Sequence, residues 1–157
     1  MKITPELITF FSSMTPFIEM KLAIPLGMEM GLSATSTFLF AVSGTILPAA
    51  LTLALISPVT EYIRSKSKYL DTFFEKLFQK TRKQHTKKFN RYGALFLILF
   101  VAIPLPGSGA SAGTIIAFLF GIDYWKGISL ISIGTIIAGI LLTAGFGSIF
   151  ALLNLFT

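Results

Sequence analysis

Glu19 and Lys21 are an acid and a base two residues apart in an otherwise apolar stretch, Phe17-Ile18-Glu19-Met20-Lys21-Leu22-Ala23-Ile24-Pro25-Leu26-Gly27. On a lipid-facing span each charge would cost several kcal/mol, so both should face protein or water. The other reading places them at a membrane surface between two short helices, where their cost is small. A second stretch carries polar groups without charge: Ile103-Pro104-Leu105-Pro106-Gly107-Ser108-Gly109-Ala110-Ser111-Ala112-Gly113. Pro104 and Pro106 remove backbone donors and clash with the preceding turn, and the glycines favour bends and close approach. The candidate substrate- or ion-binding residues are therefore Glu19, Lys21, Pro25, Pro104, Pro106, Gly107, Ser108, Gly109 and Ser111. Glu19 would exchange a coupling proton, Lys21 would attract an anion or neutralise Glu19, and Ser108, Ser111 and the backbone of 107–109 would supply hydrogen bonds.

Little else points to chemistry. There are no cysteines, so disulfides and thiolate metal sites are excluded. The single histidine, His85, stands among lysines and reads as solvated. No His-Glu-x-x-His and no paired intramembrane aspartates occur, and the turn Gly107-Ser108-Gly109 has no base near it in sequence, so no enzyme, metal or cofactor is expected beyond a coupling H+ or Na+.

The elements that would position these residues are apolar runs. The chain has 157 residues, 54% of them hydrophobic, and a mean hydropathy of +0.79. Charge is absent from 32–57, 93–122 and 127–156, lengths that suit a bilayer crossing. The interrupted run 93–122 cannot be one ideal helix, and a break at membrane depth must be covered by protein or line a wet cavity. Leu7 to Met30 reads the same way, with Pro16 and Pro25 flanking its charges. Thr4, Pro5 and Glu6 suit a helix start, and no cleaved signal peptide is read there. Pro48 would kink the second run, and Gly145 leaves room for a bend in the last one.

Between the two apolar halves, 61–91 holds ten basic residues against Glu61, Asp71 and Glu75, an excess larger than the net +6 of the whole chain. The positive-inside rule puts this linker in the cytoplasm. Tyr69, Leu70, Phe73, Phe74, Leu77 and Phe78 recur at helical spacing, so part of it should be an amphipathic surface helix touching membrane lipids. Topology alone explains such charge, and nucleic-acid binding is not expected. Tyr124 and Trp125 suit the headgroup belt.

Sliding the chain by ninety residues aligns Leu7-Ile8 with Leu97-Ile98, Phe10 with Phe100, Pro16 with Pro106, Gly31 with Gly121 and Gly44-Thr45-Ile46 with Gly134-Thr135-Ile136. The expected fold is an all-α integral membrane domain over 1–157: a first repeat at 1–58, the basic linker at 59–91 and a second repeat at 92–157. Each repeat would be a broken, re-entrant hairpin plus one transmembrane helix. The repeats are then inverted, and a multi-pass protein of the cell membrane has both termini outside. Four ordinary crossings would instead put both termini on the linker's side.

The stretches Glu19-x-Lys21-x-x-x-Pro25-x-Gly27 and Ile103-Pro104-Leu105-Pro106-Gly107-x-Gly109-Ala110, with Gly113 after them, resemble the small multi-drug export family of prokaryotic membrane proteins. That family usually carries Glu-x-Arg where this chain has Lys21, which keeps the charge but loses the planar fork. More distantly, the arrangement is similar to the DedA superfamily, which includes proteins implicated in moving lipids such as undecaprenyl phosphate. DedA proteins carry arginines around the second proline segment, and this chain has none between Arg91 and Lys126. The expected function is a transporter or flippase for a small amphipathic or lipid-phosphate substrate, acting between the hairpins, with Glu19 as the proton carrier. The alternatives are an exporter of organic cations and a non-transporting scaffold acting through the basic linker. So small a chain should work as a homodimer.

Overall fold

A computed structural model describes residues 4–16, 18–105 and 107–156; the side chains at 70, 77, 78, 80–91 and 149–156 lie outside that description. Among the described residues every regular element is helical. Helix α1 (Pro5–Ser13) starts after Thr4 in extended backbone, with proline in its first turn and Glu6 at the positive end of its dipole, as expected. It stops at Ser13, and α2 (Glu19–Glu29) begins after a short tip. Helix α3 (Ala34–Lys66) is capped by the Ser33 side chain, which accepts from the Ser36 N–H at 3.2 Å. Helix α4 (Lys68–Ala102) ends at a second tip, α5 (Ala110–Leu119) follows, and α6 (Tyr124–Phe156) closes the chain.

Both interrupted runs are thus interrupted, but not everywhere the prolines stand. Pro25 lies inside α2, and Pro48 and Pro58 lie inside α3, which continues through all 33 residues. A proline deletes one N–H, and packing against neighbours can hold the helix across that gap. The 25 residues Tyr124–Ser148 remain helical through Gly145. The basic linker is helical, as expected for part of it. It is the end of α3 and the start of α4, parted only by Ser67 in extended backbone.

Helices α3 and α6 are long and apolar enough to cross a membrane. They run antiparallel: a Cβ on Gly127 would meet Leu53 at 3.0 Å, and one on Gly139 would meet Val42 at 2.6 Å. The α1–α2 hairpin packs beside the first half of α3, since Gly27 abuts Thr9 and Thr37 while Gly44 lies against Ser13 and Phe10. The end of α4 with α5 packs beside the first half of α6, where Gly113 meets Val101 and Ile131 and Gly134 meets Val101 and Ile98. Glycine at these crossings lets backbones approach, the usual way helices associate where burial from water is no driving force. The outer faces of α3 and α6 carry exposed Leu39, Leu47, Leu51, Ile133, Ile136 and Ile140, as lipid contact requires.

The two halves share local geometry at a spacing of ninety residues. Helix α2 ends in bonds from Leu32 N–H to Gly27 and from Gly31 N–H to Met28; α5 ends in bonds from Ile122 N–H to Ala117 and from Gly121 N–H to Phe118. Gly31 (φ +86°) and Gly121 (φ +66°) take the left-handed position of the same C-terminal motif. Each is followed three residues later by the start of a long helix.

Candidate functional site

The two hairpin tips meet. Glu19 opens α2 at φ +44°, among the described residues the only non-glycine with positive φ. That conformation costs about 1–2 kcal/mol for a residue with a Cβ, and it belongs to the side chain that reaches the other tip. Glu19 is 4% exposed, and its Oε1 accepts from the Ser111 backbone N–H at 3.0 Å. Ser111 lies in the first turn of α5, whose leading N–H groups have no partner in the helix. The carboxylate therefore fills an anion position at the helix N-terminus. Gly109 makes the approach possible: a Cβ there would collide with the Glu19 carboxylate, and its φ of +119° disfavours any other residue.

Lys21 crosses in the same direction. Its ammonium donates to the carbonyls of Leu105 at 2.8 Å and Ser108 at 2.6 Å, and it stands 3.9 Å from Glu19 Oε2. The proline tip has lost donors at its prolines, and its carbonyls take hydrogen bonds from Lys21 and Ser108 instead. The Ser108 hydroxyl accepts from Leu105 N–H at 3.0 Å and lies 2.6 Å from the Ile103 carbonyl and 2.8 Å from that of Leu105, to one of which its single proton is donated at a time. On the other tip, Thr45 Oγ1 donates to the Ser13 carbonyl at the end of α1, at 3.4 Å.

The expected residues divide accordingly. Glu19, Lys21, Ser108, Gly109 and Ser111 come together; Ser111 does so through its backbone, with its side chain exposed. Pro104 lines a small cavity between the tips with Glu19 and Lys21. Gly107 (φ +82°) shapes the turn from an exposed position with nothing near its Cα. Pro25 sits a turn beyond Lys21 within α2 and does not line that cavity. Pro106 lies outside the described residues. The cavity measures about 10 Å³, at the lower limit for one water. The charges expected to line a wetted pocket are instead held by backbone groups of the opposite tip.

Gly109-Ala110-Ser111-Ala112-Gly113 also has Gly-x-Ser-x-Gly spacing. In an α/β-hydrolase that motif needs a strand before it and a histidine base at the serine. Here a loop precedes it, and the neighbouring charged groups are Glu19 and Lys21. A nucleophile role has no support in this geometry. The sequence reading also missed Leu105, whose contribution is a carbonyl that no residue type signals.

The family model described as putative small multi-drug export protein matches residues 19–141, more than half of the chain, starting at Glu19 and including the second tip. This chain belongs to the small multi-drug export protein family. No curated protein and no solved structure gives a significant match. The family's name denotes transport, and with the apolar helices α3 and α6 it marks the chain as a membrane protein.

Proposed function

We propose that this chain is an integral membrane transporter for a small amphipathic substrate, built from two inverted repeats whose re-entrant hairpins dip from opposite leaflets and meet at Glu19. The observation that carries the proposal is the Glu19 carboxylate on the Ser111 N–H beside Lys21 on the Leu105 and Ser108 carbonyls. The closed cavity between the tips makes this the occluded arrangement of the pathway. Glu19 and Gly109 stand ninety residues apart and both adopt positive φ, so the hairpins face each other at equivalent positions. That relation supports an axis of pseudo-symmetry at the contact, as alternating access requires.

Glu19 is the lock and carries the coupling proton. As a carboxylate it makes a charge-assisted bond to α5, the stronger kind. Taking up a proton removes that charge, weakens the hold on α5 and leaves Lys21 bound to carbonyls alone, so the tips separate and substrate passes. Losing the proton closes them. Glu19→Gln keeps an acceptor oxygen but cannot cycle. In proteoliposomes with an imposed pH gradient, the variant is expected to lose proton-driven flux of an amphipathic substrate, while unchanged flux with unchanged pH dependence would reject Glu19 as coupling residue.

A further inference from the structure

The two ends of the α3–α6 pair carry cavities built from positions ninety residues apart. One, about 440 Å³, takes Leu53 and Ser57 of α3 and Tyr124 of α6 among its walls; the other, about 630 Å³, takes Thr143 and Gly147 of α6 and Ala34 of α3. Their chemistry differs. The first, at the linker end, also has Glu61, Asp123, Phe118 and Thr60. The second is lined by apolar and hydroxyl groups, with no charged residue among its walls.

We infer that the linker-end cavity is a capture site for an ammonium-type cation carried on an apolar body. Its volume is that of a small-molecule site, and its walls mix apolar with polar and charged residues. Glu61 and Asp123 form no salt bridge among the described residues, whereas the one guanidinium in the wall, Arg64, is held by Asp71 through Nε at 2.6 Å. Two exposed carboxylates without basic partners among the described residues therefore border this cavity. Thr60, only 8% exposed, lines the same cavity, and its hydroxyl has no hydrogen-bond partner among the described residues. Its oxygen is not among the fully buried unpaired ones, so it is open to a water or a ligand in the cavity. Phe118 and Tyr124 add aromatic faces that favour a cation. The matching cavity at the other end has no such charges, so a cation is held at one mouth and not at the other. The inference deepens the transport reading and rests on it for direction: capture is on the linker side.

Trp125 is the only tryptophan, and its ring stacks edge-on with Tyr124 of the cavity wall at 5.1 Å. Its fluorescence therefore reports binding in the purified full-length protein. Tetraphenylphosphonium is the probe, and tetraphenylborate, of the same shape and opposite charge, is its control. Saturable quenching by the cation is expected, with the anion inert. Glu61→Gln and Asp123→Asn should each weaken binding roughly three- to tenfold, and the pair together by more. Asparagine at 123 keeps helix-starting character, so folding is retained. Equal binding of both ions, or full affinity in the double variant, would overturn the inference. Nanodiscs separate the two sources of such an ammonium group. Phosphatidylethanolamine competing with the probe identifies a lipid headgroup as occupant, and no competition relative to phosphatidylglycerol identifies a free amphiphile. No saturable binding by the parent with its proton-driven flux intact removes this site alone; unchanged proton-driven flux in Glu19→Gln with binding by the parent intact removes only the central mechanism.

Discussion

The contact between the tips depends on single atoms. Glu19 holds α5 by one carboxylate oxygen, and Gly109 leaves the room it needs. Gly109→Ala forces a Cβ into that carboxylate as well as straining a positive φ, whereas Gly107→Ala meets only the backbone strain, since nothing lies near its Cα. Strain alone costs about 1–2 kcal/mol. Amide exchange at Ser111 is expected to accelerate strongly in Gly109→Ala and little in Gly107→Ala, and equal effects would mean that Glu19 does not rely on that space. At this scale the sequence identified the participants but not their partners. Two charges in an apolar run had to be compensated, and Glu19 and Lys21 are. That the compensation comes from a backbone N–H and two carbonyls was not legible, because backbone groups are the same at every residue and their availability depends on where a helix begins.

At the scale of elements, glycines decide how closely the helices cross. A Cβ on Gly44 would strike the Phe10 carbonyl, and one on Gly134 would come within 2.8 Å of the Ile98 carbonyl. Neither carbonyl can turn aside without moving a helix. Gly44→Ala and Gly134→Ala are each expected to destabilise the protein by about 1–3 kcal/mol. Gly145→Ala, with nothing within 4 Å, should be neutral or gain up to about 1 kcal/mol of helix propensity. Thermal unfolding in detergent compares the three, and matched losses at all of them would contradict the close crossings. The Gly44 and Gly134 pair was visible in the sequence as a Gly-Thr-Ile match, and Gly31 with Gly121 as a second, because glycine identity is tied to a backbone need. Helix limits were less legible. Pro25 stood at the flank of an interrupted run yet sits within α2, since neighbouring helices outweigh one missing bond. The helical spacing of Tyr69, Phe73 and Phe74 showed that part of the linker is helical, but not that this helix runs on to Ala102 as α4.

For the whole molecule, a gap of about 10 Å³ at the tips admits no organic substrate, so transport needs the hairpins to part. A homodimer sharing one pathway follows naturally for so small a chain and belongs to the same proposal. The arrangement of the hairpins against the membrane comes before either. Each hairpin packs along half of one long helix and returns, so its two ends should lie on one face and the two hairpins on opposite faces. The chain has no cysteine, which makes single-cysteine labelling clean. Thr4 and Ala34 bracket the first hairpin, and Ser65 and Lys126 stand at the other end of the long helices; of the four, all are exposed. Membrane-impermeant thiol labelling of each single-cysteine variant in right-side-out and inverted vesicles is the most direct measurement. Thr4 and Ala34 positions are expected to react from the outside and Ser65 and Lys126 positions from the cytoplasmic side. Reaction of Thr4 and Ala34 positions from opposite sides would make the first hairpin a pair of full crossings and contradict the account.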